Sequence, residues 1–370
     1  MKKKYRLLPL FIVLLLLTLP SRSQNRPHDT ISEAFRQYRV GNYAQAIKLY
    51  NEAIRQNRRD TNAYFGRGLA NYGLAYYGQQ PFDNAIYDFK KCLDLNPDDI
   101  DALLYTGICT ADIGDYKKAV EYYNKAISLD GHYASAYDYR GTARFRLKDT
   151  TGALQDFQLA IKYDSEYADA YYNSGVLKIL LKNYQGAIID LTLSLAMNPD
   201  DPLAYFSRGV ASDSMHDYRS AAGDYNATLQ IDSTNTNALY NRGMDKMKLA
   251  YYSEAVRDFS RVIRMDTADV VAYCARASAK DSLRNYQGAI NDYLIAIYIQ
   301  PDYAAAYYGK GLTNQLIGRK DDACNDFTGA FALGEKKALK AMKDNKCPQA
   351  AEYENSKKKG FIEKLLDKDR

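Results

Sequence analysis

The chain has 370 residues, enough for two or three compact domains, and 46% of them are hydrophobic, which is ample for buried cores. Its formal net charge of +5 suggests nucleic acid or anionic lipid as a partner. However, residues 1–23 contain five basic residues and no acidic one, so the rest of the chain is neutral. This excludes nucleic-acid binding that depends on bulk positive charge, and we expect no nucleic-acid partner.

Residues 1–23 predict a secretory signal peptide. A basic start is followed by an apolar run from Leu7 to Leu19, and the small residues Ser21 and Ser23 lie three and one positions before Gln24. The alternative is an uncleaved membrane anchor, but the run is shorter than the roughly 20 residues that a bilayer requires. We therefore expect cleavage after Ser23 and an exported chain, periplasmic, outer-membrane associated or extracellular, with no integral membrane span once mature.

A pattern of 34 residues recurs seven times from Ile100 without insertion or deletion. The repeats start at residues 100, 134, 168, 202, 236, 270 and 304. Position 8 is Gly or Ala, position 20 is always Ala, position 4 is Tyr or Leu, and position 24 is aromatic or Leu. The intervals between positions 4 and 8, and among positions 20, 24 and 27, are those of one helix face. Each repeat therefore predicts two helices.

The predicted break between the two helices falls at positions 15 to 17, as in Gly114–Tyr116. Pro97, Pro199 and Pro301 end the second helices of their repeats. This helix–turn–helix unit, with a small residue at 8, Ala at 20, an aromatic residue at 24 and Pro at 32, resembles the tetratricopeptide repeat family. The resemblance implies an all-α fold, a right-handed superhelical solenoid of such repeats.

Two further units, with weaker matches, precede the seven regular repeats. The expected solenoid therefore spans residues 24–337 in about nine repeats, namely 27–60, 61–99, 100–133, 134–167, 168–201, 202–235, 236–269, 270–303 and 304–337. The second carries about five extra residues near Tyr76–Gln80, which should lengthen a helix or widen the turn. Two features depart from the family pattern: the chain has no Trp, and position 11 is polar or charged.

Residues 338–370 are rich in Lys and Glu. We expect a capping helix at 338–346 and a charged C-terminal tail, helical or disordered. Cys324 and Cys347 are placed where a disulfide could hold this end together. Cys92 and Cys109 could also approach each other, and the alternative for each pair is two buried thiols.

Charge is correlated between positions 7 and 23. In six repeats a basic residue at position 7 accompanies Asp at 23, and in the repeat at 100 both are lost, to Thr106 and Tyr122. We infer direct ion pairs between the two helices of a repeat; the alternative is two independent surface preferences.

No catalytic arrangement is apparent. His28, His132 and His216 lie too far apart in the predicted fold to meet, and the sequence has no phosphate-binding Gly loop and no Cys/His spacing typical of a metal site. We therefore expect a protein that is not an enzyme and has no cofactor.

The family resemblance implies that positions 2, 5, 6, 9, 12 and 13 of the first helices line a concave groove. Here they form an aromatic and amide lining suited to extended peptides, with the candidate residues Phe65, Tyr72, Tyr105, Tyr139, Tyr172, Asn173, Phe206, Tyr240, Asn241 and Tyr308. The alternative is that about half of them only pack between helices. The Lys and Asn clamp that some relatives use for a C-terminal carboxylate is absent.

Together these features predict a non-catalytic scaffold of the bacterial cell envelope that binds a peptide or helix of a protein partner. The alternative is a glycan-binding structural component of an envelope polysaccharide or assembly system.

Overall fold

A computed structural model describes residues 27–351 and 353, with side chains from Thr30 on. The predicted signal peptide and most of the charged tail lie outside the described residues. Within them the chain is helical and contains no strand, which confirms the all-α fold class. No helix in this part of the chain has both the length and the apolar character needed to cross a membrane.

The helices follow one another in hairpins, a first helix and a second helix in each repeat. Their bounds are α1 Pro27–Arg39, α2 Tyr43–Gln56, α3 Thr61–Tyr76, α4 Asp83–Leu95, α5 Ile100–Asp112, α6 Tyr116–Leu129, α7 Ala134–Arg146, α8 Thr150–Tyr163, α9 Ala168–Leu180, α10 Tyr184–Met197, α11 Pro202–Ser214, α12 Tyr218–Ile231, α13 Thr236–Lys248, α14 Tyr252–Met265, α15 Val270–Ser282, α16 Tyr286–Ile299, α17 Ala304–Leu316, α18 Lys320–Ala332 and α19 Lys337–Asp344. From α5 on, every first helix begins at position 1 of a repeat and every second helix at position 17.

Short polar side chains begin many of these helices. Asp99 accepts a hydrogen bond from the backbone N–H of Ala102, and Asp115 accepts one from Lys118. Asp201 caps α11, whose first residue is Pro202. These caps satisfy backbone donors that have no partner inside the helix. Capping thus explains the second residue of each acidic pair Asp98-Asp99 and Asp200-Asp201, which stand just before a repeat.

Two compact units are distinguished by their internal contacts, residues 1–131 and residues 132–370. Their described helices are α1–α6 and α7–α19 respectively. Within each unit, a first helix packs against the second helix that follows it, and that second helix packs against the next first helix. In the second unit successive first helices also touch, as α7 does α9 and α15 does α17. The first helices therefore form one layer and the second helices another.

The core of each repeat contains a large side chain at position 24, a ring in most repeats, packed against a small residue, Gly or Ala, at position 8. Phe259 is fully buried, and a Cβ atom on Gly243 would lie 2.7 Å from its ring. Gly107 and Tyr123 are related in the same way. The small residue at position 8 thus makes room for the large residue at position 24. This explains why every regular repeat combines a small residue at position 8 with a large one at position 24.

The extra residues of the second repeat both lengthen a helix and widen a turn. The first helix α3 has 16 residues, whereas α5 has 13. The segment from Tyr77 to Phe82 then leads into α4. Gly78 has a φ of +71°, the left-handed conformation that glycine adopts without strain.

A disulfide closes the C-terminal end. Cys324 on α18 is bonded to Cys347, just after α19, and the two Cα atoms lie 5.5 Å apart. The helix α19 packs on α18 and buries Ala338 and Met342. Cys92 and Cys109 do not pair; both are buried free thiols, and Cys274 is also free.

Candidate functional site

Four of the predicted binding residues share one setting. Each lies at position 5 of a first helix and contacts the buried ring at position 24 of its own repeat: Phe65 with Phe89, Phe206 with Tyr225, Tyr240 with Phe259 and Tyr308 with Phe327, at centroid distances of 5.4 to 5.8 Å. The inner edge of each ring is therefore fixed by the core. All four rings remain half-buried, so part of each still faces solvent.

The predicted residues of the first unit are largely packing residues. Phe65 and Tyr105 contact each other at 5.5 Å, and Tyr105 stacks on the buried Phe89 at 5.4 Å. Tyr72 is only 8% exposed, and its hydroxyl donates to Asp112 at 3.2 Å. Little of Tyr72 is left to contact a partner.

The two predicted amide residues of the second unit already make hydrogen bonds to other residues of the fold. Asn173 donates to Asp138 at 2.8 Å, and Asn241 donates to the hydroxyl of Tyr225 at 3.4 Å. Both side chains are half-buried, as are Tyr139 and Tyr172. Of the ten predicted residues, Tyr72 is therefore buried and the other nine are half-buried.

More exposed apolar side chains lie on the same first helices at positions 2, 9, 12 and 13. They are Phe145, Leu180, Met244, Val271, Leu312 and Leu316. These positions were assigned to the groove from the sequence, but only aromatic and amide residues were selected there, so the five aliphatic residues were missed, and Phe145 was missed as well. The positional rule alone would have found them.

A row of ion pairs, called the ion-pair ladder below, joins the first and second helices of six repeats. The basic residue at position 7 contacts Asp at position 23 of the same repeat in Arg67–Asp88, Arg140–Asp156, Arg208–Asp224, Arg242–Asp258, Arg276–Asp292 and Lys310–Asp326, at 2.5 to 2.9 Å. The predicted direct contact between the two positions is confirmed. The Asp side chains are almost completely buried, so each charge depends on its partner.

Position 11 also contributes to the ladder, which explains its departure from the family pattern. Arg144, Lys178, Lys246 and Lys280 each contact the Asp at position 23 of their repeat, at 2.6 to 3.0 Å. Asn71 and Asn314 donate to the same position at 2.8 Å. In the repeat where Ser174 replaces the cation at position 7, Lys178 and the Ser174 hydroxyl together hold Asp190.

The ladder also joins neighbouring repeats. The Nη1 atom of Arg208, which does not contact Asp224, donates to the Thr192 hydroxyl at 3.1 Å. Likewise, Nη1 of Arg276 donates to the Ser260 hydroxyl at 3.1 Å. Both acceptors lie at position 25 of the preceding repeat. One arginine therefore fixes two hairpins relative to each other.

Two carboxyl sites on the first helices have no cation among the described residues. Asp245 on α13 is 2% exposed, faces Asp213 on α11, and its Oδ2 has no hydrogen-bond partner. Burial, followed by the nearby Asp213, raises the pKa of Asp245 to about 8. Asp281 on α15 accepts from the Thr313 hydroxyl at 2.7 Å, while its Oδ1 is buried without a partner. Burial raises its pKa to about 6.

The histidines are not brought together. His132 contacts Tyr163, and His216 lies 3.0 Å from the Tyr218 hydroxyl, each at an exposed turn. The side chain of His28 lies outside the described part. In that part of the chain, no group of three or more His, Cys, Asp or Glu could hold a metal ion.

Comparison with known proteins identifies the same repeat. Family models described as "TPR repeat" and "Tetratricopeptide repeat" match residues 37–74, and residues 73–134 and 140–202, respectively. The Hsp70-Hsp90 organizing protein of Triticum aestivum is 34% identical over 92 residues, which is 25% of this chain and 14% of the length of that protein.

Solved structures share the fold. The APC/C hetero-tetramer Cut9-Hcn1 has a TM-score of 0.50 at 17% identity, covering 77% of this chain and 55% of that one. The human IFIT1 dimer with PPP-AAAA has a TM-score of 0.52 at 13% identity, covering 84% and 73%. At these identities the likeness concerns the fold alone.

Proposed function

Since the chain is a tetratricopeptide repeat protein, a family of non-catalytic interaction scaffolds, we propose that it binds a peptide or helix of a protein partner. The contact surface is the exposed side of the first helices of residues 132–351. The relevant helices are α7, α9, α11, α13, α15 and α17.

One observation carries this proposal. The aromatic residues at position 5 contact a buried ring on one side and are partly exposed on the other, and exposed apolar residues occur at positions 9, 12 and 13 of the first helices. Rigid rings of this kind lose little conformational freedom on binding, so more of the contact energy appears as affinity. The surface also combines apolar area with polar edges, as peptide-binding surfaces do.

The uncompensated carboxyls favour a partner with basic side chains. Asp213 and Asp281 occupy position 12, one of the groove positions, two repeats apart. At about 8–10 Å between neighbouring helices, they lie roughly 20 Å apart. An extended peptide covers that distance with about six residues. The preferred ligand therefore carries two Lys or Arg residues at about that spacing.

The place of action is the cell envelope in this proposal. Its support is the basic and apolar composition of residues 1–23 together with the small residues before Gln24. Nucleic acid is disfavoured because residues 24–370 are neutral. The PPP-AAAA in the human IFIT1 structure is a ligand of that protein.

Affinity capture from envelope extract tests the function. The test variant carries Leu180→Glu and Leu316→Glu, at side chains 60% and 64% exposed on first helices. The matched control carries Ile189→Glu and Tyr298→Glu, at residues 53% and 87% exposed on second helices. A protein retained by the wild type and the control but lost by the test variant supports the proposal. Equal retention by all three contradicts it, and binding on a glycan array with no protein captured would favour the glycan alternative.

A further inference from the structure

A polar cleft lies within the first unit, away from the exposed side of the first helices. It is formed by the second helices α2 and α4, with α3 as its floor, and has a cavity volume of about 380 Å³. Sites for small molecules have volumes of roughly 300 to 1,000 Å³. The cleft is therefore large enough for a small ligand.

The floor of the cleft is charged but fully compensated. Arg67 donates to both carboxylate oxygens of Asp88, through Nε at 3.0 Å and Nη2 at 2.6 Å. Asn71 donates to the same carboxylate at 2.8 Å, and the remaining Arg67 nitrogen donates to Asn51 Oδ1. An ionic ligand would have to disrupt this buried pair, which is costly. The floor therefore favours a neutral ligand.

One wall is built by the extra residues of the second repeat. Gln80 donates to the backbone oxygen of Asn71 at 2.9 Å and to its side-chain oxygen at 3.0 Å. Asn84 in turn donates to Gln80 Oε1 at 3.3 Å. Since the seven repeats from Ile100 have no such insertion, this wall belongs to the second repeat.

The rim offers unused hydrogen-bonding groups and an aromatic face. Asn51 Nδ2 and Asn84 Oδ1 make no hydrogen bond to any described residue, so one donor and one acceptor remain available. Tyr87 is 55% exposed. The Lys91 ammonium lies 5.6 Å from its ring centre and is paired with Asp94 at 2.8 Å, so this part of the rim is also electrically balanced.

We propose that this cleft binds a neutral saccharide. Apart from Ile47 and the Tyr87 ring, the lining is polar, which disfavours a wholly apolar ligand, and the compensated floor disfavours an ion. Sugar hydroxyls both donate and accept, which suits amide groups that present one of each. The flat C–H face of a sugar ring suits the exposed Tyr87 ring. The cleft would add a carbohydrate site to a chain whose protein-binding surface lies on other helices.

Saturation-transfer NMR on the purified full chain tests this inference. The neutral probes are maltose, cellobiose and N,N′-diacetylchitobiose, and the charged probes are glucuronate and glucosamine. Saturation should pass to the ring protons of at least one neutral probe and more weakly to the charged ones. No transfer to any neutral probe, or stronger transfer to a charged one, would overturn the proposal.

Variants then locate the site. Tyr87→Ala and Asn84→Ala should each weaken binding of the responsive probe by about tenfold, the equivalent of about 1.4 kcal/mol. The control Tyr298→Ala removes an exposed tyrosine from α16 and should leave binding unchanged. Because Tyr87 and Tyr298 are both exposed, we expect the two tyrosine variants to keep the fold. Circular dichroism checks that each variant remains folded. Equal affinity in all variants would place the sugar elsewhere and contradict the assignment.

Discussion

At the scale of single residues, the molecule depends on buried charges that are neutralised one by one. Asp224 accepts two hydrogen bonds from Arg208, through Nε at 2.9 Å and Nη2 at 2.7 Å. The geometry is bidentate, the arrangement in which arginine and carboxylate bind most strongly. Removal of one partner leaves the other charge buried, whereas removal of both does not.

This predicts strong coupling in a double-mutant cycle. Arg208→Ala and Asp224→Ala should each destabilise the fold, and the double variant should be more stable than the sum of the two losses indicates. We expect a coupling energy of about 1 to 2 kcal/mol, measured by urea denaturation. Additive losses would show that the two side chains are independent.

A second residue-scale feature is the left-handed residue at position 15. Gly114 and Gly318 adopt this conformation without strain, whereas Ala250 adopts it with φ of +63°. An L-residue in this conformation costs roughly 1 kcal/mol or more. Ala250→Gly should therefore raise the free energy of unfolding by about 1 kcal/mol. Ala196→Gly, at an exposed position in the last turn of α10, should instead lower it, and the reverse order would be inconsistent with the assigned turn.

The sequence predicted the ladder only in part at this scale. Positions 7 and 23 could be paired because their identities change together in the repeat at 100. Position 11 was noticed only as a departure, since Arg, Lys, Asn, Ser and Thr all occur there and share no charge. The contacts with position 25 of the preceding repeat, which include one from Arg242 to Asn226, were not foreseen, because Thr192, Asn226 and Ser260 are ordinary residues for an exposed helix.

At the scale of the helix, stability comes from contacts with neighbouring hairpins. Among the described residues, the helix α19 packs against α18, and Cys347, just after α19, is bonded to Cys324 on α18. The covalent link therefore adds to the support that packing on α18 gives α19.

Loss of this disulfide should loosen the end of the array. Closure of a loop with a sequence separation of 23 residues contributes about 3 kcal/mol in the chain-entropy estimate. The Cys324→Ser, Cys347→Ser variant should show faster amide hydrogen exchange in α19 and α18, with α8 and α9 unchanged. Exchange that is the same in both proteins would mean that α19 does not depend on the bond.

Apposed first helices also predict a dependence on pH. Asp245 has a pKa of about 8 in the fold, above its ordinary value near 3.8, and it faces Asp213 on α11 and Tyr225 on α12. The folded state thus binds more protons than the unfolded state between these pH values, so this contribution to stability falls as pH rises from about 4 to 8. Asp281 acts in the same direction up to about pH 6.

Substitution isolates this contribution. Asp245→Asn should stabilise the protein more at pH 8 than at pH 5 and flatten the decline between them, as measured by thermal unfolding. Asp200→Asn, at an exposed turn between repeats, is the control and should not change the slope. A wild-type protein that grows more stable over this window, with no effect of Asp245→Asn on the slope, would contradict the buried-acid account.

At the scale of the whole molecule, the period of 34 residues made the fold predictable. Each repeat gives the same hairpin, so seven copies of one pattern support a single interpretation. The binding surface was less predictable, because position 5 serves both the core and the surface. Tyr72 was selected as a binding residue although its ring is buried, while Leu180 and Leu316 were passed over although theirs are exposed.

The proposed protein partner lies on the first helices of residues 132–351. Site-specific photo-crosslinking in the native host tests this placement directly, with benzoylphenylalanine placed singly at Leu180, Leu316, Ile189 or Tyr298. We predict protein adducts from Leu180 and Leu316, on first helices, and none from Ile189 and Tyr298, on second helices. Adducts from the second-helix positions alone, or none from any of the four, would contradict the account.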